Sequence, residues 1–554
     1  MSYPATVAEA VRRRSADERT GLRTAQGDLT HAEVVRRAAA RAAWAGSMRR
    51  PGPFHVAVLL DNTDEFVFWL QACALAGAVL VGANPTHRGD ELVRDLTHTE
   101  CQLLVTSTRH RGLLEGRDLG PPLGRVTGGN ERVLVVDDPG AVGVLVGFDG
   151  AAPPEPGVGP ETLGYLIFTS GTSGAPKAVR CTQGRLARVS EKVAEMFSIT
   201  ERDTCYLPMP LFHSNALMAG WGPALVAGAT AALPSEGRFS ASGFLEDVRR
   251  FGATYFNYVG KPLAYVLATP PRPDDADNPL VRGFGNEATP SDVEAFAARF
   301  ACPVTDGYGS TEGGASVSRT PDTPPGALGR GPEGTVVLDP ATGRPCPPAR
   351  FDAQGRLTNA EEAIGELVSK SGGAGFEGYW HNDEAEARRL RRGWYWTGDL
   401  AFADAEGFIY FAGRDHEWLR VDGENFAAAP VERIVLRHDD VMLAAVYAVP
   451  DPVVGDQVMA SVQLRPGADF DPGGFSAFLD RQDDLPPTWA PRLVRVCAEL
   501  PVTATAKIMK RALRAERWHA ADPVWWRPEP GAPYRRLTDA DVAALDAAVG
   551  DRPW

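Results

Sequence analysis

Lysine is the basic residue this 554-residue chain has least of: only positions 177, 192, 261, 370, 507 and 510, with arginine supplying the other 51 of its 57 Lys and Arg residues. A lysine inside a motif is therefore not there through abundance, and the first in the chain is Lys177. Cysteine is also scarce. Its seven copies, at 73, 101, 181, 205, 302, 346 and 497, form no close pair and no metal-like spacing. That pattern excludes a disulfide scaffold and reads as buried free thiols in a reducing compartment. Long apolar runs are missing as well: Leu70 to Ala83 is too short and too rich in alanine and glycine to span a bilayer, which takes ~20 residues. The start, Met1-Ser2-Tyr3-Pro4, lacks the basic stretch and apolar run of a secretory signal. The expectation is a cytoplasmic protein with no membrane span. Positive charge is in deficit: a net charge of -14 excludes a general nucleic-acid binder, while leaving room for a local basic pocket.

What is present is ordinary for a globular protein, with 44% hydrophobic and 23% charged residues, and the length predicts two to four domains. His31 to Ala45 and Asp64 to Gly77 carry helical spacing, while Val56 to Leu60, Ala78 to Gly82 and Gln102 to Ser107 read as buried strands. Buried strands separated by helices point to parallel α/β sheets covered on both faces. Gly150 to Gly159 reads as a linker. A second helix–strand run covers roughly 184 to 305, and Gly/Pro-rich connections from 320 to 355 suggest a smaller β-rich subdomain. From Trp418 a helix (Ala429 to Leu436), two strands (Met442 to Val449, Gln457 to Leu464) and another helix predict a compact α+β domain. The expected division is a large domain over 1–412, a hinge at 413–416, a lid over 417–520 and a tail over 521–554.

Four segments carry chemistry. The apolar strand Tyr165 to Phe168 runs into Thr169-Ser170-Gly171-Thr172-Ser173-Gly174-Ala175-Pro176-Lys177, where backbone N–H groups, hydroxyls and a lysine suit phosphate oxygens. It is not a Walker A loop, because no Gly-Lys-Ser/Thr follows at the required spacing. A surface hairpin is the plainer reading of such a Gly/Ser stretch, but the buried strand before it and the rare lysine after it favour phosphate. In Asp306-Gly307-Tyr308-Gly309-Ser310-Thr311-Glu312, Tyr308 could stack on a base, Thr311 could bond a phosphate and Glu312 could hold magnesium. Asp399, in Tyr395-Trp396-Thr397-Gly398-Asp399, could accept both ribose hydroxyls or simply close a β-turn, and Arg414 could join it or be a surface charge. Lys507 follows a small-residue turn, Val502 to Ala506, and by itself reads as part of a solvated basic patch with Lys510 and Arg511.

Together and in this order, the segments resemble the adenylate-forming superfamily of acyl-CoA synthetases, peptide-synthetase adenylation domains and luciferases, over about Leu29 to Arg514. Asn84 to Gly89, Gly285-Asn286-Glu287 and Arg420 to Asn425 resemble its fatty-acid transport and very-long-chain branch. Tyr258 to Leu263 resembles actinobacterial fatty-acyl-CoA synthetases. The resemblance implies a large N-terminal domain and a small mobile C-terminal one. It also implies ATP and Mg2+, with CoA as the second substrate. The loop from Thr169 to Lys177 would grip the β- and γ-phosphates, with Thr172 and Glu312 on magnesium. Tyr308 would stack on adenine, with Asp306, Gly307, Gly309 and Ser310 also in the ATP/AMP site, Thr311 would touch the α-phosphate, and Asp399 and Arg414 would fix the ribose. His213 would gate the acyl site, with Asn215, Gly260, Gly285 and Asn286 around it. Lys507 would bridge the substrate oxygen and the α-phosphate.

The chain departs from the family in two places: Ala506 stands where glycine is usual before the lysine, and the hinge position, usually aspartate or lysine, is His416. A methyl at 506 is mild if φ is negative and strained if it is positive. The nucleotide motifs admit two chemistries. One is a carboxylate–CoA ligase passing through acyl-AMP. The other is an ATP-dependent diazotase of secondary metabolism, which adenylates nitrite and passes the nitrogen to an aryl amine.

Overall fold

The structure, a computed structural model, describes residues 3–127, 129–169, 176–353, 357–373, 375–414, 418–421, 424–451, 455–503, 506–529 and 531–549. The chain divides into two compact units, Met1–Gly314 with Ala374–Arg388, and Ala315–Gly373 with Arg389–Trp554.

The first unit holds two large sheets. One runs, in spatial order, Val133–Val135, Leu103–Thr106, His55–Leu59, Val79–Gly82, Leu163–Thr169 and Lys177–Thr182. Its neighbours are parallel except the last pair, which is antiparallel. The sequence explains the layering. His55–Leu59 is buried at every position, as a strand covered on both faces must be. The helix Asp64–Ala76 is buried from Phe66 onwards and stops at Gly77, whose φ of 63° supplies a left-handed C-cap. The helix His31–Ser47 starts at a capping box between Thr30 and Glu33. These two helices pack through Trp44 and Trp69, edge to face at 5.8 Å.

The other sheet runs Val304–Asp306, Arg282–Asn286, Tyr255–Val259, Thr204–Tyr206, Thr230–Ala232, Thr20–Thr24 and Gly27–Thr30, parallel except for the last pair. In its register Val259 lies opposite Asn286 and Gly285 opposite Asp306, so three strands end side by side. The carboxyl edge of a parallel sheet is where open α/β folds bind ligands.

The second unit begins with an antiparallel sheet of Thr335–Leu338, Gly365–Ser369, Trp394–Ala403, Leu390–Arg391 and Ile409–Arg414, the β-rich part expected. Beyond it, Val441–Asp451 and Gly455–Leu464 pair antiparallel beside the helix Ala428–Val435. The tail extends this sheet: Val524–Trp526 pairs with Leu493–Cys497, and Arg535–Arg536 pairs with Val524–Trp526. The fold is the expected α/β class with parallel sheets. Among the described residues no helix is long and apolar enough to cross a membrane.

Candidate functional site

The strands Leu163–Thr169 and Lys177–Thr182 form a hairpin in which Thr169 lies opposite Lys177. The Gly/Ser segment therefore joins two strands of a buried sheet and is not an isolated surface hairpin. Within it Ser170, Gly171, Thr172, Ser173 and Gly174 lie outside the described residues. A further segment runs beside the second strand. Arg180 N–H donates to the Gly378 carbonyl at 3.0 Å, and Trp380 N–H donates to that of Ala178 at 2.8 Å. Between these bonds stands Tyr379, whose hydroxyl donates to Glu312 Oε1 at 3.0 Å. Glu312 is buried, and a buried carboxylate needs such a partner.

The three strand ends lock together through their loops. Gly260 N–H donates to the Asn286 carbonyl at 3.0 Å, and Gly307 N–H to that of Gly285 at 2.8 Å. The Asn286 amide donates to the Gly307 carbonyl. Glycine is required at 285, since a Cβ there would overlap Tyr258. Asp306 accepts from the Tyr258 hydroxyl at 2.7 Å and from Ala288 N–H at 2.9 Å. Burial pushes its carboxyl up to about 6, against the pull of both bonds. Tyr308 and Gly309 form a two-residue strand immediately after it.

Thr311 is held from two sides. Its hydroxyl shares a 2.7 Å bond with Ser214 Oγ, and its carbonyl accepts from Arg185 Nη2 at 2.6 Å. Ser214 belongs to the turn that carries His213 and Asn215. There His213 Nδ1 accepts the Asn215 N–H at 3.2 Å, which in the neutral ring leaves the proton on Nε2. Asn215 Nδ2 donates to the Tyr258 carbonyl at 2.9 Å, and its Oδ1 accepts from Asn257 Nδ2 at 2.6 Å. A π-helical turn, Leu217–Trp221, follows, a form common at functional sites. The first unit thus brings His213, Asn215, Gly260, Gly285, Asn286, Asp306, Gly307 and Thr311 into one bonded network. Tyr379 ties Glu312 to the hairpin strand that begins at Lys177. Sequence reasoning passed over Arg185, Ser214, Asn257 and Tyr379. Only Asn257 left a signal, as an amide inside the apolar strand Tyr255–Val259.

In the second unit Asp399 lies opposite Arg414 in the antiparallel register. Asp399 N–H donates to Thr397 Oγ1 at 3.0 Å, and Gly398 N–H donates to Glu366 at 2.7 Å. Gly398 has a φ of 71°, and a Cβ there would meet Arg389. Thr503 N–H donates to the Lys507 carbonyl at 2.8 Å, and Lys507 N–H donates to Thr503 Oγ1 at 3.2 Å. Ala506 has a φ of 57°, so its methyl group occupies a left-handed position that costs about 1–2 kcal/mol. The strained alternative posed by the sequence is the one realised. His416 lies outside the described residues.

The AMP-binding enzyme family matches residues 8–380, and the AMP-binding enzyme C-terminal domain matches 430–507. A steroid-22-oyl-CoA synthetase of Rhodococcus jostii (strain RHA1) is 52% identical over 544 residues, covering 98% of this chain and 96% of the relative. A medium/long-chain-fatty-acid–CoA ligase, FadD17 of Mycobacterium marinum (strain ATCC BAA-535 / M), is 48% identical, covering 85% of this chain and 88% of the relative. Among solved structures, a benzoate CoA ligase from Burkholderia xenovorans LB400 superposes with a TM-score of 0.75 at 23% identity, over 93% of this chain and all of that one. ATP-bound MatB from Rhodopseudomonas palustris superposes with a TM-score of 0.77 at 23% identity, over 92% and 98%. The solved structures establish the adenylate-forming fold. The chain belongs to the AMP-binding enzyme family, as an AMP-forming ligase of the acyl-CoA synthetase type. Both relatives are named as CoA synthetases or ligases, which leaves the diazotase reading without support.

Proposed function

We propose that this ligase activates a carboxylic acid with a large apolar body, of the steroid side-chain or medium- to long-chain fatty class, and delivers it to CoA. The observation that carries the reading is the 2.7 Å bond between Ser214 and Thr311, which joins the His213 turn to the Thr311-Glu312 motif. An acid carboxylate beside His213 would then lie next to a phosphate beside Thr311, as in-line attack on the α-phosphorus requires. The lipophilic body is suggested by the steroid and fatty-acid relatives and by Phe212 and Met218, apolar and half-buried on either side of the turn.

In this reading the backbone of the loop from Thr169 to Lys177 cradles the β- and γ-phosphates, and Thr311 bonds the α-phosphate. Tyr308 stacks on adenine, framed by Asp306, Gly307, Gly309 and Ser310, and Asp399 with Arg414 fixes the ribose. His213, through its Nε2–H, orients the carboxylate. Lys507 neutralises the charge shared by the attacking oxygen and the α-phosphate. Glu312 suits Mg2+: Tyr379 occupies one carboxylate oxygen, and among the described residues no protein group bonds the other. Among those residues no cluster of three metal-ligating side chains exists, which fits a hard cation carried mainly by phosphate oxygens. Bound there with Thr172, the ion would offset phosphate charge. The hinge at 413–416, with His416, would let a lid over 417–520 alternate between adenylation and thioester formation, a step the strain at Ala506 bears on. A cytoplasmic setting fits the seven free cysteines, six of them buried.

Pyrophosphate release measured against steroid side-chain acids, C8–C18 fatty acids, aryl acids, and nitrite with an aryl amine tests the reading. Release with a lipophilic acid, followed by a CoA-dependent thioester, is expected. Release with nitrite and no acid would overturn it.

A further inference from the structure

Arg185 stands in the first turn of the helix Gln183–Met196, whose cap Thr182 accepts its N–H at 3.1 Å. The residue is only 4% exposed, yet it carries a permanent positive charge. Its guanidinium donates to two carbonyls, that of Arg180 at 3.1 Å and that of Thr311 at 2.6 Å. Neither carbonyl carries a charge, and among the described residues Arg185 forms no ion pair. The carboxylates of Glu377 and Glu312 make their hydrogen bonds to Thr182 and Tyr379, and neither pairs directly with Arg185. A buried charge without a direct ion pair is costly to keep out of water.

The surroundings are shaped to hold it. Gly313 has a φ of 71°, and a Cβ there would overlap the Arg185 guanidinium. Gly313 immediately follows Thr311-Glu312, so the residue that makes room for the charge is part of the motif the charge supports. A charge-assisted bond to the Thr311 carbonyl also polarises the peptide that Thr311 shares with Glu312, strengthening its N–H as a donor.

We propose that Arg185 is a positioning residue for the nucleotide: it fixes Thr311 through its carbonyl and sets a buried positive potential whose counter-charge is the bound polyphosphate. This rests on the reading of Thr311 as a phosphate contact. It requires no contact between the guanidinium and the nucleotide. It predicts that the residue discriminates phosphorylated from unphosphorylated ligand, which a packing role does not.

Titration calorimetry of the full chain with ATP and with adenosine, on the wild type, Arg185→Gln and Gly313→Ala, tests this. Arg185→Gln should weaken ATP about tenfold or more, the effect of one unit charge at moderate screening, and leave adenosine within about twofold. In turnover the KM for ATP should rise while that for the acid stays unchanged. Gly313→Ala displaces the guanidinium without removing it and should shift ATP affinity in the same direction, so the test survives a glutamine variant that fails to fold. Equal losses for ATP and adenosine in the variants, or no loss for either, would overturn the proposal. A wild type that does not bind ATP would instead sink the nucleotide reading itself.

Discussion

Asp306 shows how one residue's environment sets a measurable property. Its carboxyl lies at about 6 against an ordinary 3.8, because burial outweighs the bonds from Tyr258 and Ala288. The folded chain therefore holds this proton more tightly than the unfolded one. The stability it contributes is complete below about pH 4 and is lost as pH rises through about 6. Asp306→Asn keeps an acceptor for both donors and cannot ionise. Its unfolding free energy relative to wild type, followed through the thermal midpoint, should therefore rise between pH 4.5 and 7.5, by an amount bounded at about 3 kcal/mol. A difference that stays flat or falls across that window would contradict the assignment. The residues legible in the sequence, Thr311 and Glu312 among them, sit in contiguous motifs. Those that hold them could not be read there. Arg185 is 126 positions from Thr311, Ser214 is 97 away, and Tyr379 is 67 from Glu312. Each is recruited by tertiary packing, which leaves no local pattern.

Elements were legible where local physics is strong. The helix at His31–Ser47 shows in the helical spacing of its alanine- and arginine-rich sequence, and that at Asp64–Ala76 in an apolar run of helical length closed by Gly77. The two tail strands are three and two residues long, too short for an alternating pattern, and only pairing defines them, Val524–Trp526 with Leu493–Cys497 and Arg535–Arg536 with Val524–Trp526. Their role is clear in the structure. Trp525 packs on the core of the C-terminal sheet, with its ring 5.5 Å from Phe470 and the Arg536 guanidinium 5.9 Å from its centroid. Tyr534 anchors the same segment through its hydroxyl to the Pro491 carbonyl. Trp525→Ala should cost about 2–3 kcal/mol, the low end for a tryptophan that is only partly buried. The loss should appear as faster hydrogen exchange in Leu493–Cys497, with exchange in His55–Leu59 of the first unit unchanged. Undiminished protection in Leu493–Cys497 would show the tail to be an appendage.

At the scale of the whole molecule, the scarcity of lysine turns the catalytic assignment into a countable experiment. Six lysine amines serve a chain of net charge -14, and four of them lie outside the segments assigned to the nucleotide. Lys510 pairs with Glu432 at 2.8 Å, Lys370 lies over the Trp394 ring, Lys261 reaches the Glu287 carbonyl, and Lys192 is exposed on a helix. Lys177 and Lys507 stand in the two segments assigned to phosphate and to the transferring oxygen. Partial acetylation with an amine-selective ester, mapped by peptide mass spectrometry, should therefore inactivate adenylation in proportion to modification at 177 and 507. It should not track modification at 192 or 370. ATP with Mg2+ should slow both the inactivation and the labelling of Lys177. Lys507→Ala should lose about 100-fold or more of the pyrophosphate-release rate, as removal of a preorganised charge at the reacting centre does. Its residual activity should be insensitive to further acetylation at position 192. Full turnover with both 177 and 507 acetylated would remove the two lysines from the mechanism and leave the buried Arg185 as the charge to examine.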